Sequence, residues 1–167
     1  MALFDENVQQ QLRDIFVKLK DEVNIIYFHQ ELECQSCNET KQFLLEIASL
    51  SDKINLEVFN YLNDKDQVAK YGINKVPGIV VLDKDKTDYG IRFYGIPAGY
   101  EINSFIFAIM ELSGAAEEFP QDILDQVAKV TTPVHIQVFV TPSCPHCPGA
   151  VITGHKLAKL NPNIKAD

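Results

Sequence analysis

The sequence predicts an α/β fold: one complete unit followed by part of a second. Three observations carry this. Short apolar, β-branched runs of strand length alternate with longer stretches whose apolar residues recur at helical spacing. Two of these runs, Val23 to Phe28 and Val134 to Val140, each lead into a Cys-x-x-Cys pair that opens a helical stretch. The first cysteines of the pairs, Cys34 and Cys144, lie 110 residues apart, about one small domain, so the order helix, strand, CxxC, helix occurs twice.

The elements follow from local pattern. Asp5 caps a helix over 6–20, whose Val8, Leu12, Ile15, Phe16 and Leu19 form an apolar face. Val23 to Phe28 is too short for a helix and forms a buried strand. A helix over 35–50 puts Phe43, Leu44, Ile47 and Leu50 on one side. A strand over 54–59 is followed by a short helix over 64–71 that Gly72 stops. Val76-Pro77 opens a strand reaching Leu82, and Ile91 to Tyr94 is another. The loop from Gly95 to Gly99 enters an apolar helix over 101–113 with Phe105, Phe107, Ile109 and Met110 in the core. Residues 114–120 form a linker. A helix over 121–130, a strand over 134–140, a helix towards Leu160 and a tail at Asn161-Pro162-Asn163 complete the chain. The units are therefore 1–113 and 121–167.

Composition narrows the function. The 167 residues are 46% hydrophobic, enough for a core, and carry a formal charge of −8 with a pI near 4.9. That charge repels nucleic acid and anionic membranes. The N-terminus lacks the basic and apolar segments of a secretion signal, and no apolar run is long enough to span a membrane. A cytoplasmic location is expected, where four cysteines fit catalysis or metal binding better than a structural disulfide framework.

The chemistry lies in Thr141-Pro142-Ser143-Cys144-Pro145-His146-Cys147. Near a helix N-terminus, unpaired backbone N–H groups and the helix dipole stabilise a thiolate, the form that attacks disulfides. Cys144 is the expected nucleophile and Cys147, one turn on, the resolving thiol. Pro145 is expected near the first helical position, and a protonated His146 adds positive charge beside the sulfur. Cys34 follows Glu31 and Glu33, while Gln35 and Ser36 supply no cation, so Cys34–Cys37 is expected to be the less reactive pair. Cys144 is expected to be the more acidic thiol, with a pKa of roughly 4 to 7. A Cys₄ zinc site is an alternative, although its pairs are usually about 15 to 20 residues apart, and here 106 residues separate Cys37 from Cys144. Inert buried cysteines are a further alternative.

The order strand, CxxC, helix, strand, then a strand led by Val76-Pro77, resembles a thioredoxin-like fold. Two units in tandem, together with Asp88-Tyr89-Gly90-Ile91-Arg92-Phe93-Tyr94-Gly95-Ile96-Pro97-Ala98-Gly99-Tyr100-Glu101 and Phe139-Val140-Thr141-Pro142-Ser143-Cys144, resemble the glutaredoxin-like protein disulfide oxidoreductases. The resemblance implies that Pro77 is cis and faces the sulfurs, and that no organic cofactor is needed. It implies protein disulfides as substrates, a thioredoxin reductase-like flavoprotein as electron donor, and peroxiredoxins among the acceptors. A matching proline in the second unit is expected near position 187, beyond Asp167, so that unit is expected to be partial. The carboxylate that many thioredoxins place six residues before the first cysteine is replaced here by Phe28 and Val138. Any base must come from elsewhere. A second resemblance is to the tandem N-terminal domain of flavin-dependent peroxiredoxin reductases, an electron relay whose first-unit cysteines are generally lost. Cys34 and Cys37 depart from that pattern. A redox-inert binding module is the expectation if the second unit does not fold.

Overall fold

A computed structural model describes residues 3–167. The first unit contains α1 (Glu6–Phe16), β1 (Val23–His29), α2 (Cys37–Ser49), β2 (Ile54–Asn60), α3 (Lys65–Tyr71), β3 (Gly78–Leu82), β4 (Arg92–Tyr94) and α4 (Ile102–Leu112), with a 3₁₀ turn (Gly99–Glu101) before α4. The rest of the chain forms α5 (Gln121–Val127), β5 (Val134–Ile136), α6 (Cys147–Leu160) and β6 (Ile164–Ala166).

The first sheet has the order β2-β1-β3-β4, with β1 parallel to β2 and antiparallel to β3, and β3 antiparallel to β4. Its central strands, β1 and β3, are buried on both faces. Ile25 and Tyr27 point to one core with Phe43, Leu44, Ile79 and Phe105, while Ile26 and Phe28 point to another with Tyr71, Val80 and Leu82. That explains why β3 is a continuous apolar run, and β1 nearly one between Asn24 and His29, rather than alternating.

β5 pairs with β6 in parallel, and β6 abuts β4 through a parallel bridge between Ala166 and Ile91. The Ala166 N–H donates to the Gly90 carbonyl at 3.0 Å. The strands therefore run side by side as β2-β1-β3-β4-β6-β5, with β1 and β5 pointing the same way. A two-stranded sheet is marginal alone. Here it is carried by the first unit: Val151, Ala158, Ile164 and Ala166 enter the same core as Phe105 and Ile109. Around that joint, Lys159 Nζ meets Glu111 Oε1 at 2.9 Å and the His155 ring stands edge-on to Phe93 at 4.7 Å.

The structure departs from the sequence reading in several places, and α5, expected to reach 130, ends at Val127. α1 ends at Phe16, and tighter bonds from Lys18 to Ile15 and from Leu19 to Phe16 turn Leu19 into the core. The tail is not irregular throughout: Ile164–Ala166 forms β6. The strand expected over 134–140 is regular only over Val134–Ile136, because its partner β6 is three residues long. Beyond it the Val138 N–H still donates to the Asp167 carbonyl at 2.8 Å, and residues 139–140 continue outside any strand.

Candidate functional site

Each cysteine pair stands at the C-terminal end of a strand and the start of a helix, and each is closed as a disulfide with Cα atoms 5.5 Å apart. In the first, Cys34 is half-buried and Cys37, only 1% exposed, is the first residue of α2. The Tyr27 hydroxyl donates to the Cys37 carbonyl at 2.7 Å, and burial raises the pKa of this phenol. His29 stacks on Tyr27, and burial and the Lys41 charge hold its pKa below the usual imidazole value. The Val76–Pro77 bond is cis, as the resemblance implies. Because Gly78 pairs with Phe28, Pro77 lies at the same end of the sheet as Cys34 and Cys37.

In the second, the chain turns at Thr141, whose carbonyl accepts from the Cys144 N–H at 3.0 Å. α6 begins at Cys147, with His146 at its N-cap. This corrects the expected place of Pro145, which lies ahead of the cap. The proline of the first turn is Pro148, where a missing N–H leaves no helical bond unmade. Cys144 and Cys147 are both half-buried, while Pro145 and His146 are exposed.

The first unit braces this loop. The Tyr100 N–H donates to the Pro142 carbonyl at 3.2 Å, and Gly99, with φ +62°, lies directly against the same residue. The turn also delivers Glu101, which the sequence reading did not single out. Glu101 is 4% exposed; one carboxylate oxygen accepts from Ser104 Oγ at 2.6 Å and the other has no hydrogen-bond partner. It lines a cavity of about 310 Å³ together with Tyr94, Pro97, Phe139, Val140 and Val151. The available signal was one acidic residue between an apolar loop and the apolar helix α4.

Parallel β1 and β5 bring both disulfides to the same rim of the sheet. The strands that lead to them stand four steps apart, from β1 through β3, β4 and β6 to β5, about 19 Å at the usual strand spacing. Each pair is closed on itself, and among the described residues no three His, Cys, Asp or Glu side chains are placed to hold one metal ion, which counts against the Cys₄ alternative. Among the described residues, no helix is long and apolar enough to cross a membrane.

A sheet of this order, with CxxC pairs at strand-to-helix junctions and a cis-proline strand beside the first, defines a thioredoxin-fold thiol–disulfide oxidoreductase. No family model matches the chain. It is 28% identical, over 162 residues and 97% of its length, to the alkyl hydroperoxide reductase AhpF of Staphylococcus epidermidis, and 26% identical over the same extent to that of Staphylococcus aureus. The chain spans 29% of the length of these curated relatives. Among solved structures, the NTD_N/C domain of alkylhydroperoxide reductase AhpF from Enterococcus faecalis matches with a TM-score of 0.88 and 32% identity, covering 98% of this chain and 78% of that one. A protein disulfide oxidoreductase from Aeropyrum pernix matches with a TM-score of 0.88 and 25% identity, covering 99% and 76%. The chain belongs to the family of the N-terminal domain of the alkyl hydroperoxide reductase AhpF.

Proposed function

We propose that the chain reduces protein disulfides through Cys144 and Cys147, and that Cys34 and Cys37 form a second, slower redox pair. The observation that carries this is the position of Cys144, half-buried just ahead of the N-terminus of α6, with Cys147 in the first turn. In the reduced chain the Cys144 thiolate attacks one sulfur of a substrate disulfide, and the other sulfur leaves as a thiolate. Cys147 then attacks the Cys144 sulfur, releasing the substrate's second thiol. The Cys144–Cys147 disulfide forms and two electrons have passed to the substrate.

His146 at the N-cap supports the Cys144 thiolate when protonated, Pro145 shapes the loop, and Pro77 presents the substrate backbone to Cys34 and Cys37. Glu101 is the carboxylate that positions 28 and 138 lack, reaching the second site from the first unit. The chain is divided as 1–113, a linker over 114–120 and a second unit over 121–167.

A second reading is favoured by the relatives. Their name and the chain's 29% share of their length support an electron relay in a peroxiredoxin-reductase system. The relay takes electrons from a thioredoxin reductase-like flavoprotein and passes them to a peroxiredoxin in the cytoplasm. Incubating the reduced chain with insulin, and separately with an oxidised peroxiredoxin, tests both readings. Each substrate disulfide opened should consume two chain thiols, and Cys144→Ser should abolish most of the transfer. Folded protein that opens neither substrate would leave the binding-module reading standing.

A further inference from the structure

We infer that the two disulfides of one chain do not exchange electrons directly with each other, so that electrons pass from one kind of pair to the other only when two copies of the chain meet. The inference rests on the redox activity proposed above for both pairs. It overturns the simplest role for a retained Cys34–Cys37 pair, that of relaying electrons to Cys144–Cys147 within its own molecule.

Thiol–disulfide exchange is an attack of one sulfur on another and needs the two in contact. Here β3, β4 and β6 stand between β1 and β5, a gap of about 19 Å. A hinge between the units would have to close that gap, and the structure opposes one. β6 is bridged to β4, the Tyr100 N–H holds the Pro142 carbonyl, and Lys159 holds Glu111. Residues of both units share one close-packed core, and packed interiors do not deform continuously. Cys37 and Cys147 are anchored in the first turns of α2 and α6.

The same topology makes exchange between copies accessible. Both pairs open on one rim, and Cys34 and Cys144 each keep part of their surface exposed. In an encounter, the Cys34 thiolate of a reduced first pair attacks the Cys144–Cys147 disulfide of another copy. A mixed disulfide forms and one sulfur of the second pair leaves as a thiolate. Cys37 attacks the mixed disulfide, leaving Cys34–Cys37 oxidised in one molecule and Cys144 and Cys147 reduced in the other. Two electrons have moved, and the proton lost by each donor thiol is balanced by one gained at the acceptor pair.

The test uses the whole chain and two variants, one with Cys34→Ser and Cys37→Ser, the other with Cys144→Ser and Cys147→Ser. Wild-type protein is given half an equivalent of dithiothreitol, and the redistribution of thiols between the pairs is followed by acid quench, alkylation and peptide mass spectrometry over a hundredfold range of concentration. The relaxation rate should rise about in proportion to concentration, as for a bimolecular exchange, and should match that of one variant reduced and mixed with the other oxidised. A rate independent of concentration, or a wild-type rate about tenfold or more above that of the mixed variants, overturns the inference. Insulin reduction by each variant separates the two claims. If both variants reduce insulin and the relaxation is unimolecular, only the inference falls; if neither does, the redox reading falls and takes the inference with it.

Discussion

A Cβ placed on Gly99 would lie 2.4 Å from the Pro142 carbonyl oxygen, closer than any real contact, and the φ of Gly99 is +62°. The first unit thus presses backbone to backbone against the loop that carries Cys144. Gly99→Ala must strain its own backbone and displace that loop, at a cost of about 1 to 3 kcal/mol. The core of the first unit, made by other elements, should persist. The expected outcome is a folded protein with a lower melting temperature whose Cys144 alkylates several-fold more slowly, while Cys34 keeps its rate. Equal loss at both sites would show that the contact does not position the second site.

The two sites should differ as nucleophiles. Cys144 has uncharged Thr141, Pro142 and Ser143 before it and His146 at the helix cap, whereas Cys34 follows Glu31 and Glu33. With the fully reduced protein at about pH 6, where an ordinary thiol is almost wholly protonated, iodoacetamide should label Cys144 first. Cys144→Ser should then cost far more disulfide-reducing activity than Cys34→Ser. Indistinguishable labelling rates, read by peptide mass spectrometry, would remove the asymmetry.

Most of the frame was legible in the sequence because period and run length encode burial. Gly78 to Leu82 is an uninterrupted apolar run, and Val23 to Phe28 is broken only by Asn24, because both faces of those strands are covered. The cis state of Pro77 followed from resemblance alone. What was not legible depends on distant partners. Ile164-Lys165-Ala166 is too short to show a period and becomes β6 only because Gly90 and β5 stand beside it. Residues 137–140 have strand composition, yet pairing goes no further than the bond from the Val138 N–H to the Asp167 carbonyl at 2.8 Å. Pro145 looked like the first-turn proline until the helix start fell at Cys147. Glu101 is one acidic residue among many until the turn buries it in a cavity shared with Phe139 and Val140.

That carboxylate has a testable effect. Glu101 shares its cavity with Phe139 and Val140 of the segment that leads to Cys144, and a negative charge disfavours a nearby thiolate, so Glu101→Gln should shift the midpoint of Cys144 alkylation to lower pH. The rate at high pH, where the thiol is fully ionised in either protein, should change little. Gln keeps the hydrogen-bonding shape towards Ser104, so the loop should stay in place. An unmoved midpoint in a folded variant would exclude Glu101 from proton handling at this site.

His155 makes the joint between the units sensitive to acid. Its ring is 3% exposed, edge-on to Phe93; Nε2–H donates to the Arg92 carbonyl at 3.1 Å, and Nδ1 has no partner. Burial disfavours the charged ring and lowers its pKa from 6.5 to about 4, against smaller opposing effects from the Arg92 carbonyl and Asp167. Above pH 6.5 both folded and unfolded chains hold the ring neutral, and it contributes no pH dependence. As pH falls from 6.5 towards 4 the unfolded chain binds a proton that the folded chain refuses, so stability is lost across that window, on the order of 3 kcal/mol in all. His155→Phe keeps the aromatic contact and cannot be protonated. It leaves the Arg92 carbonyl without its donor, at a cost of about 1 to 3 kcal/mol near neutral pH. The denaturation free energy of this variant, followed by urea titration from pH 7.5 to 4.5, should fall less steeply than that of the wild type. If the two curves stay parallel, the acid sensitivity of the joint comes from groups other than His155.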